Sequence, residues 1–213
     1  MVRVKICGIT NDHDASKAIE LGADALGFIF APSARQITPE KARHIICGMP
    51  PFVKTVGVFV NEETGTIKDI IRFCGLDLIQ LHGDEPPDVC EEFLPHTIKA
   101  FRLRDESSLR SIKVYCGKVT AALFDTYSEK KRGGTGKTFD WNLAVKGKKW
   151  EIPVILSGGL RPSNIETAIS TVRPYAVDVN SGVEKRPGKK SPILMKALME
   201  TIRRMDIGGL TDD

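Results

Sequence analysis

"VRVKICGITNDHDASKAIELGADALGFIF" (residues 2–30) holds two short apolar runs with a helix-spaced segment between them. "VRVKI" (2–6) and "ALGFIF" (25–30) are too short for helices and rich in β-branched and aromatic residues, so each reads as a strand. Between them, Asn11 or Asp12 can cap a helix that sets Ala15, Ala18 and Ile19 on one face and stops at Gly22. Two strands separated by a whole helix, with no hairpin turn, form the unit that builds parallel sheets.

The unit recurs along the chain. Six more runs follow: "VKTVGVFV" (53–60), "DLIQL" (77–81), "TIKAF" (97–101), "TAALF" (120–124), "PVIL" (153–156) and "YAVDV" (175–179). Helical stretches lie between them. Thr38-Pro39 is an N-cap with proline at the first helical position. Asn61 precedes a one-sided stripe of Ile67, Ile70, Ile71 and Cys74. Eight units without a linker predict an α/β fold, a single (β/α)8 TIM barrel spanning residues 1–213. An open doubly wound sheet is weaker, because no G-x-G-x-x-G follows the first strand. The tail "MDIGGLTDD" (205–213) stands outside the pattern and is expected to be flexible.

Composition narrows the class of function. The chain has 213 residues, 41% apolar and 27% charged, as expected of one soluble domain. No run approaches the ~20 apolar residues of a membrane span, and "MVRVKICGIT" lacks a signal peptide's apolar segment. A cytoplasmic protein with no membrane partner is expected. The five cysteines (7, 47, 74, 90 and 116) are odd in number, with no C-x-x-C and no Cys/His pairing, which argues against disulfides and against a metal site. Residues 1–106 carry 12 basic and 16 acidic side chains, and residues 107–213 carry 19 and 11. The basic half suits an anionic ligand such as phosphate, although most lysines, as in "KGKK" (146–149), read as solvated. A 7% aromatic content and the lack of a binding motif argue against nucleic acid.

In a barrel of this kind the active site is built at the carboxyl ends of the strands. Cys7 ends the first strand, where it is either a packed thiol or a reactive one. Asp125, in "ALFDTYS" (122–128), ends the sixth and must find a cap or face the barrel mouth. Asp178, near the end of the eighth, reads first as structural. Lys5 shares the inward side of its strand with Cys7, and can pair with an acid such as Asp178 or help ionise the thiol. His82, after the fourth strand, is either structural or a pocket wall.

Glycine-rich turns form a second set. "LSGGLRPSNI" (156–165) and "NSGVE" (180–184) follow strands seven and eight, the usual phosphate-binding place of this fold. A third, "RGGTGKTF" (132–139), ends the longest connection; its glycines 133, 134 and 136 are spaced too closely for a P-loop, and a loop closing over substrate fits better.

"KICGIT" (5–10), "GFIFAPSARQITPEKAR" (27–43), "VGVFVN" (56–61), "IQLHGDE" (79–85), "FDTYSEKKRGGTGKTFDW" (124–141), "LSGGLRPSNI" and "AVDVNSGVE" together resemble the phosphoribosylanthranilate isomerase family of tryptophan biosynthesis. The resemblance runs in order from residue 2 to about residue 204; Asn180 stands where the family usually has serine. It implies an Amadori rearrangement of a phosphorylated aminosugar, without metal or organic cofactor. Cys7 would be the general base, ionised, and Asp125 the general acid, protonated. Arg35 would hold the anthranilate carboxylate, with Lys5, His82 and Asp178 around the substrate. Gly134, Gly136, Gly158, Gly159, Ser181 and Gly182 would hold the phosphate. Rival readings are the sister aminoaldose isomerase of histidine biosynthesis, which uses an aspartate at the position of Cys7, a dual-substrate enzyme, or a non-catalytic phosphate-binding barrel. The expected assembly is a monomer or homodimer.

Overall fold

The computed structural model describes residues 2–126 and 140–208. Eight parallel strands close into a barrel in sequence order: β1 (Arg3–Cys7), β2 (Ala25–Ile29), β3 (Lys54–Phe59), β4 (Leu78–Leu81), β5 (Thr97–Leu103), β6 (Ala121–Thr126), β7 (Val154–Leu156) and β8 (Ala176–Val179). Closure comes from β1 pairing with β8, Lys5 opposite Asp178 and Ile6 opposite Val179. Every strand expected from the apolar runs is present. The fifth runs two residues past its expected end, which carries Arg102 into register with Asp125.

The helices form where their signals stand. α1 (Asp12–Glu20) is capped by Asn11, whose side chain accepts from the Asp14 amide at 3.0 Å. α2 (Pro39–Cys47) is capped by Thr38, with Pro39 in the first turn. α3 (Thr64–Cys74) starts after Glu63 rather than at Asn61. Asn61 lies in the left-handed region at φ +51°, and its side-chain oxygen is taken across the loop by the Asp84 amide at 2.6 Å, so it cannot cap. α4 (Pro87–Glu91), α5 (Glu106–Arg110), α6 (Trp141–Gly147), α7 (Ile165–Val172) and α8 (Pro192–Gly208) complete the ring. α8 takes residues 205–208 into a helix, and residues 209–213 of the expected tail lie outside the described residues.

Two cores result. A large one between strands and helices includes Ile6, Leu26, Phe28, Phe59, Leu81, Phe124 and Leu156. A smaller one fills the lower barrel interior with Val56, Ile98, Ala100, Ala121, Leu123, Ile155 and Ala176. Because side chains alternate along a strand, the inward layer above this plug is again buried, and four of its members are polar: Lys5, Gln80, Asp125 and Asp178, each 5% exposed or less. One feature has no counterpart in the sequence reading. After β8 the chain forms a small hairpin, β9 (Glu184–Arg186) and β10 (Lys189–Lys190), instead of passing straight into the last helix.

Candidate active site

A cavity of about 390 Å³ opens at the carboxyl ends of the strands. Cys7, Arg35, His82, Asp125, Asp178, Gly158, Gly159, Ser181 and Gly182 all line it, so residues scattered over more than 170 positions converge on one space. Gly134 and Gly136, with the rest of the loop they belong to, lie outside the described residues. Lys5 is not brought to the cavity wall. Its ammonium is occupied below, 3.2 Å from Asp178 Oδ1 and donating to Gln80 Oε1 at 2.6 Å. Both readings of Asp178 are therefore met at once: it partners a buried lysine and also lines the cavity.

Cys7 ends β1 close to Lys5. The thiol is 4% exposed, and burial pushes it up from the ordinary thiol range, against the lowering pull of Lys5. Lys5 itself is lowered by burial but raised overall, chiefly by the Asp178 carboxylate, and holds its proton. Burial thus favours the thiol over the thiolate, against the pull of the cation beside it. Packing keeps Cys7 there: a Cβ on Gly27, its neighbour across the β1–β2 pair, would come within 2.7 Å of Cys7 Sγ and 2.9 Å of Lys5 Cε.

His82 faces Asp125, Nε2 lying 3.2 Å from Oδ2. Its other ring nitrogen is 2.7 Å from Gln80 Nε2, and its carbonyl accepts from Arg102 at 3.0 Å. The histidine is a pocket wall with a structural anchorage.

Arg35 extends over the mouth and is clamped by Glu184, Nε donating to Oε1 at 2.9 Å and Nη2 to Oε2 at 2.7 Å. Glu184 is in turn held by Lys190, 3.0 Å away and fully buried. Burial opposes ionisation of Glu184, but hydrogen bonds from Arg35 and the Lys190 charge outweigh it and hold the carboxyl below its ordinary range. Burial lowers the Lys190 ammonium, which also donates to Asn180 Oδ1 at 2.9 Å. Asn180 therefore has a use of its own as an acceptor for a buried lysine.

The two glycine turns meet backbone to backbone. A Cβ on Gly182 would lie 1.8 Å from the Leu160 carbonyl oxygen, so no side chain fits there. Gly158 and Gly159 hold φ of +87° and +65° in succession. Such backbone, at the cavity wall, is suited to an anion.

Gln80, Glu184 and Lys190 were missed from the sequence. Gln80 did leave a signal, a lone amide inside the apolar run "DLIQL". Lys190 left none: "GKKSP" reads as a solvated basic turn, and only the hairpin buries it.

A closed eight-stranded barrel with a thiol, a carboxyl group and two glycine turns in one cavity defines an enzyme of the (β/α)8 class equipped for proton transfer. The family model described as "N-(5'phosphoribosyl)anthranilate (PRA) isomerase" matches residues 4–201. The chain belongs to that family. It is 53% identical over 205 residues to the N-(5'-phosphoribosyl)anthranilate isomerase of Geobacter sulfurreducens, covering 96% of this chain and 98% of that one. It is 49% identical to the protein of that name from Moorella thermoacetica, covering 97% and 92%. The crystal structure of phosphoribosyl anthranilate isomerase from Thermotoga maritima superposes with a TM-score of 0.90 at 45% identity, over 96% of this chain and all of that one. A further structure, at TM-score 0.86 and 43% identity over the same shares, is of a phosphoribosyl anthranilate isomerase in complex with reduced 1-(o-carboxyphenylamino)-1-deoxyribulose 5-phosphate.

Proposed function

We propose that this chain converts N-(5-phosphoribosyl)anthranilate to 1-(2-carboxyphenylamino)-1-deoxyribulose 5-phosphate in tryptophan biosynthesis, with Asp125 as general acid and Cys7 as general base. The observation that carries the assignment is the single cavity lined by Cys7, Asp125, Arg35 and both glycine turns. The phosphate sits against Gly158, Gly159, Ser181 and Gly182. The anthranilate carboxylate takes the guanidinium edge of Arg35 that Glu184 leaves open.

Chemistry then assigns the order of steps. Asp125 delivers a proton to the furanose oxygen as the C1′–O bond breaks, and the anthranilate nitrogen forms an iminium. That cation acidifies the C2′ hydrogen. Together with Lys5 it also supplies the positive surroundings that the buried Cys7 needs to act as a thiolate. Cys7 removes the C2′ proton, and the enolamine tautomerises to the ketone. Each proton transfer of this kind contributes ~10²–10⁴-fold.

The substrate is a small phosphorylated aminosugar, and neither nucleic acid nor membrane is a partner. Among the described residues no helix is long and apolar enough to cross a membrane. We place the protein in the cytoplasm, as a monomer or homodimer; one solved structure, from Thermotoga maritima, is of monomers generated from a dimeric phosphoribosylanthranilate isomerase. The test is loss of anthranilate-substrate fluorescence on adding purified protein, with the histidine-pathway aminoaldose run in parallel. Turnover of the anthranilate substrate alone is expected. Turnover of neither returns the chain to a binding barrel.

A further inference from the structure

We infer that Gln80 is a positioning residue that fixes which nitrogen of His82 carries the hydrogen, and so which oxygen of Asp125 carries the catalytic proton. This rests on Asp125 being the acid proposed above. Lys5 Nζ can only donate, so the Gln80 atom 2.6 Å from it must be the amide oxygen. The amide nitrogen is therefore the atom 2.7 Å from His82 Nδ1. An amide nitrogen can only donate too, so Nδ1 must present its lone pair and the ring hydrogen sits on Nε2. An imidazolium is excluded by the same contact, since two N–H groups would then face each other.

Nε2 is buried with no aligned hydrogen-bond partner among the described residues, and the oxygen it faces is Asp125 Oδ2, 3.2 Å away. Catalytic hydrogen bonds are often slack before substrate binds and tighten with it. With the hydrogen on Nε2, Oδ2 is an acceptor and the acid's proton resides on the other oxygen, from which it passes to substrate. When that proton passes to the furanose oxygen, which also takes the C1′–O electron pair, the carboxylate left behind keeps a donor on Oδ2. The opposite tautomer would put a lone pair against Asp125 and draw its proton into the ring, away from substrate. The ammonium that pairs with Asp178 near the base thus sets the hydrogen-bond direction at the acid through two side chains, Gln80 and His82. All are buried or nearly so, which shields the directionality from water.

The experiment is long-range ¹H–¹⁵N NMR of uniformly labelled protein, with the His82 signals identified by their loss in His82→Asn. The wild type is expected to show the Nε2–H form at neutral pH. Gln80→Glu keeps length and the Lys5 contact but replaces the donor facing Nδ1 with an acceptor. It is expected to move His82 to an Nδ1–H ring and to lower kcat by ~10²-fold, the low end for a lost acid, with KM within about threefold. A wild-type ring protonated on Nδ1 overturns the inference, even where Gln80→Glu fails to fold. So does a folded Gln80→Glu with kcat within about threefold of wild type, since an acid set wrongly costs ~10² or more. The spectrum needs no substrate, so its failure is separable from failure of the isomerase reading, which wild-type turnover alone decides.

Discussion

The barrel interior changes character within one pleat. Its lower half is packed by Val56, Ile98, Ala100, Ala121, Leu123, Ile155 and Ala176; two residues further along β6 and β8 stand Asp125 and Asp178, joined by Lys5 from β1 and Gln80 from β4, as buried but all polar. β6 shows the switch most simply, Ala121 and Leu123 pointing into the plug and Asp125 into the cavity. The backbone geometry and hydrogen-bond ladder are the same on both sides. The lower half needs only shape and volume, so each side chain can be exchanged for another of similar size. The upper half consists of groups whose burial is costly unless every one is partnered. Stability and chemistry are therefore separable by a shift of two residues, and paired substitutions can test that.

The largest effect is expected at Cys7. Cys7→Ser keeps the shape of the side chain but offers a hydroxyl far too weakly acidic to act as base. Turnover should fall roughly 10³-fold or more, while the thermal midpoint and substrate affinity stay near wild type. A variant keeping more than about a tenth of wild-type kcat, far above a lost base, would return Cys7 to packing. Alkylation should also inactivate, with substrate protecting. The exposed Cys47 and Cys116 will react as well, so the modified site needs mapping by mass spectrometry.

Asp125→Asn comes next, with a loss of ~10²–10⁴-fold. It should make ring opening limiting. A deuterium isotope effect at C2′ that is visible in the wild type should then shrink in this variant and persist in Cys7 variants with residual activity. An undiminished isotope effect with near-normal rate would leave Asp125 as a cap.

The contrast also explains what could be read from the chain. Cys7 and Asp125 were legible because each follows an apolar run directly, and a barrel turns strand ends into site positions. Lys5 was legible through its two-residue offset from Cys7. Glu184 and Lys190 were not, because their value lies in Arg35, 149 positions away from Glu184, and in a hairpin whose two short strands carry no periodic pattern. Asn61 precedes α3 without starting it, because its side chain is used across the loop by Asp84. Local spacing records which face a residue takes; it does not record a partner brought close only by closure of the barrel.

The lower half offers the converse experiment. Leu123→Ala removes a fully buried side chain of the plug and should cost ~2–5 kcal/mol of stability in urea unfolding. Its kcat should stay within about threefold of wild type, because no polar partner is lost. A collapse of kcat in a still-folded variant would mean that the two halves are coupled.

Arg35→Met should act mainly on KM, because the carboxylate it holds is remote from the reacting atoms. Loss of a charge-assisted contact suggests ~2–3 kcal/mol, a rise of roughly 30- to 150-fold, with kcat less affected. Glu184 keeps Lys190 as partner, so folding should survive. An unchanged KM would limit Arg35 to closing the hairpin.

The smallest effect is one of pH, and it distinguishes the halves by sign. Burial raises the Cys7 thiol above its ordinary value of 9.0, so the folded protein holds this proton to higher pH than the unfolded chain. Its contribution to stability is fully present below 9.0 and is lost as pH rises from there through the folded value. The slope in that window is at most about 1.4 kcal/mol per pH unit. Cys90, pushed up to about 11 by burial, adds a loss of the same sign, so the measurement must be a difference between wild type and Cys7→Ser. Unfolding free energies at neutral and alkaline pH should show wild type losing stability relative to the variant as the solution becomes alkaline. Leu123→Ala should show a deficit independent of pH. Activity should run the opposite way, kcat/KM climbing over the same alkaline range as the base ionises. A difference between wild type and Cys7→Ser that stays flat with pH would mean that the thiol titrates alike in the folded and unfolded chain, and that Lys5 offsets the whole cost of burying it.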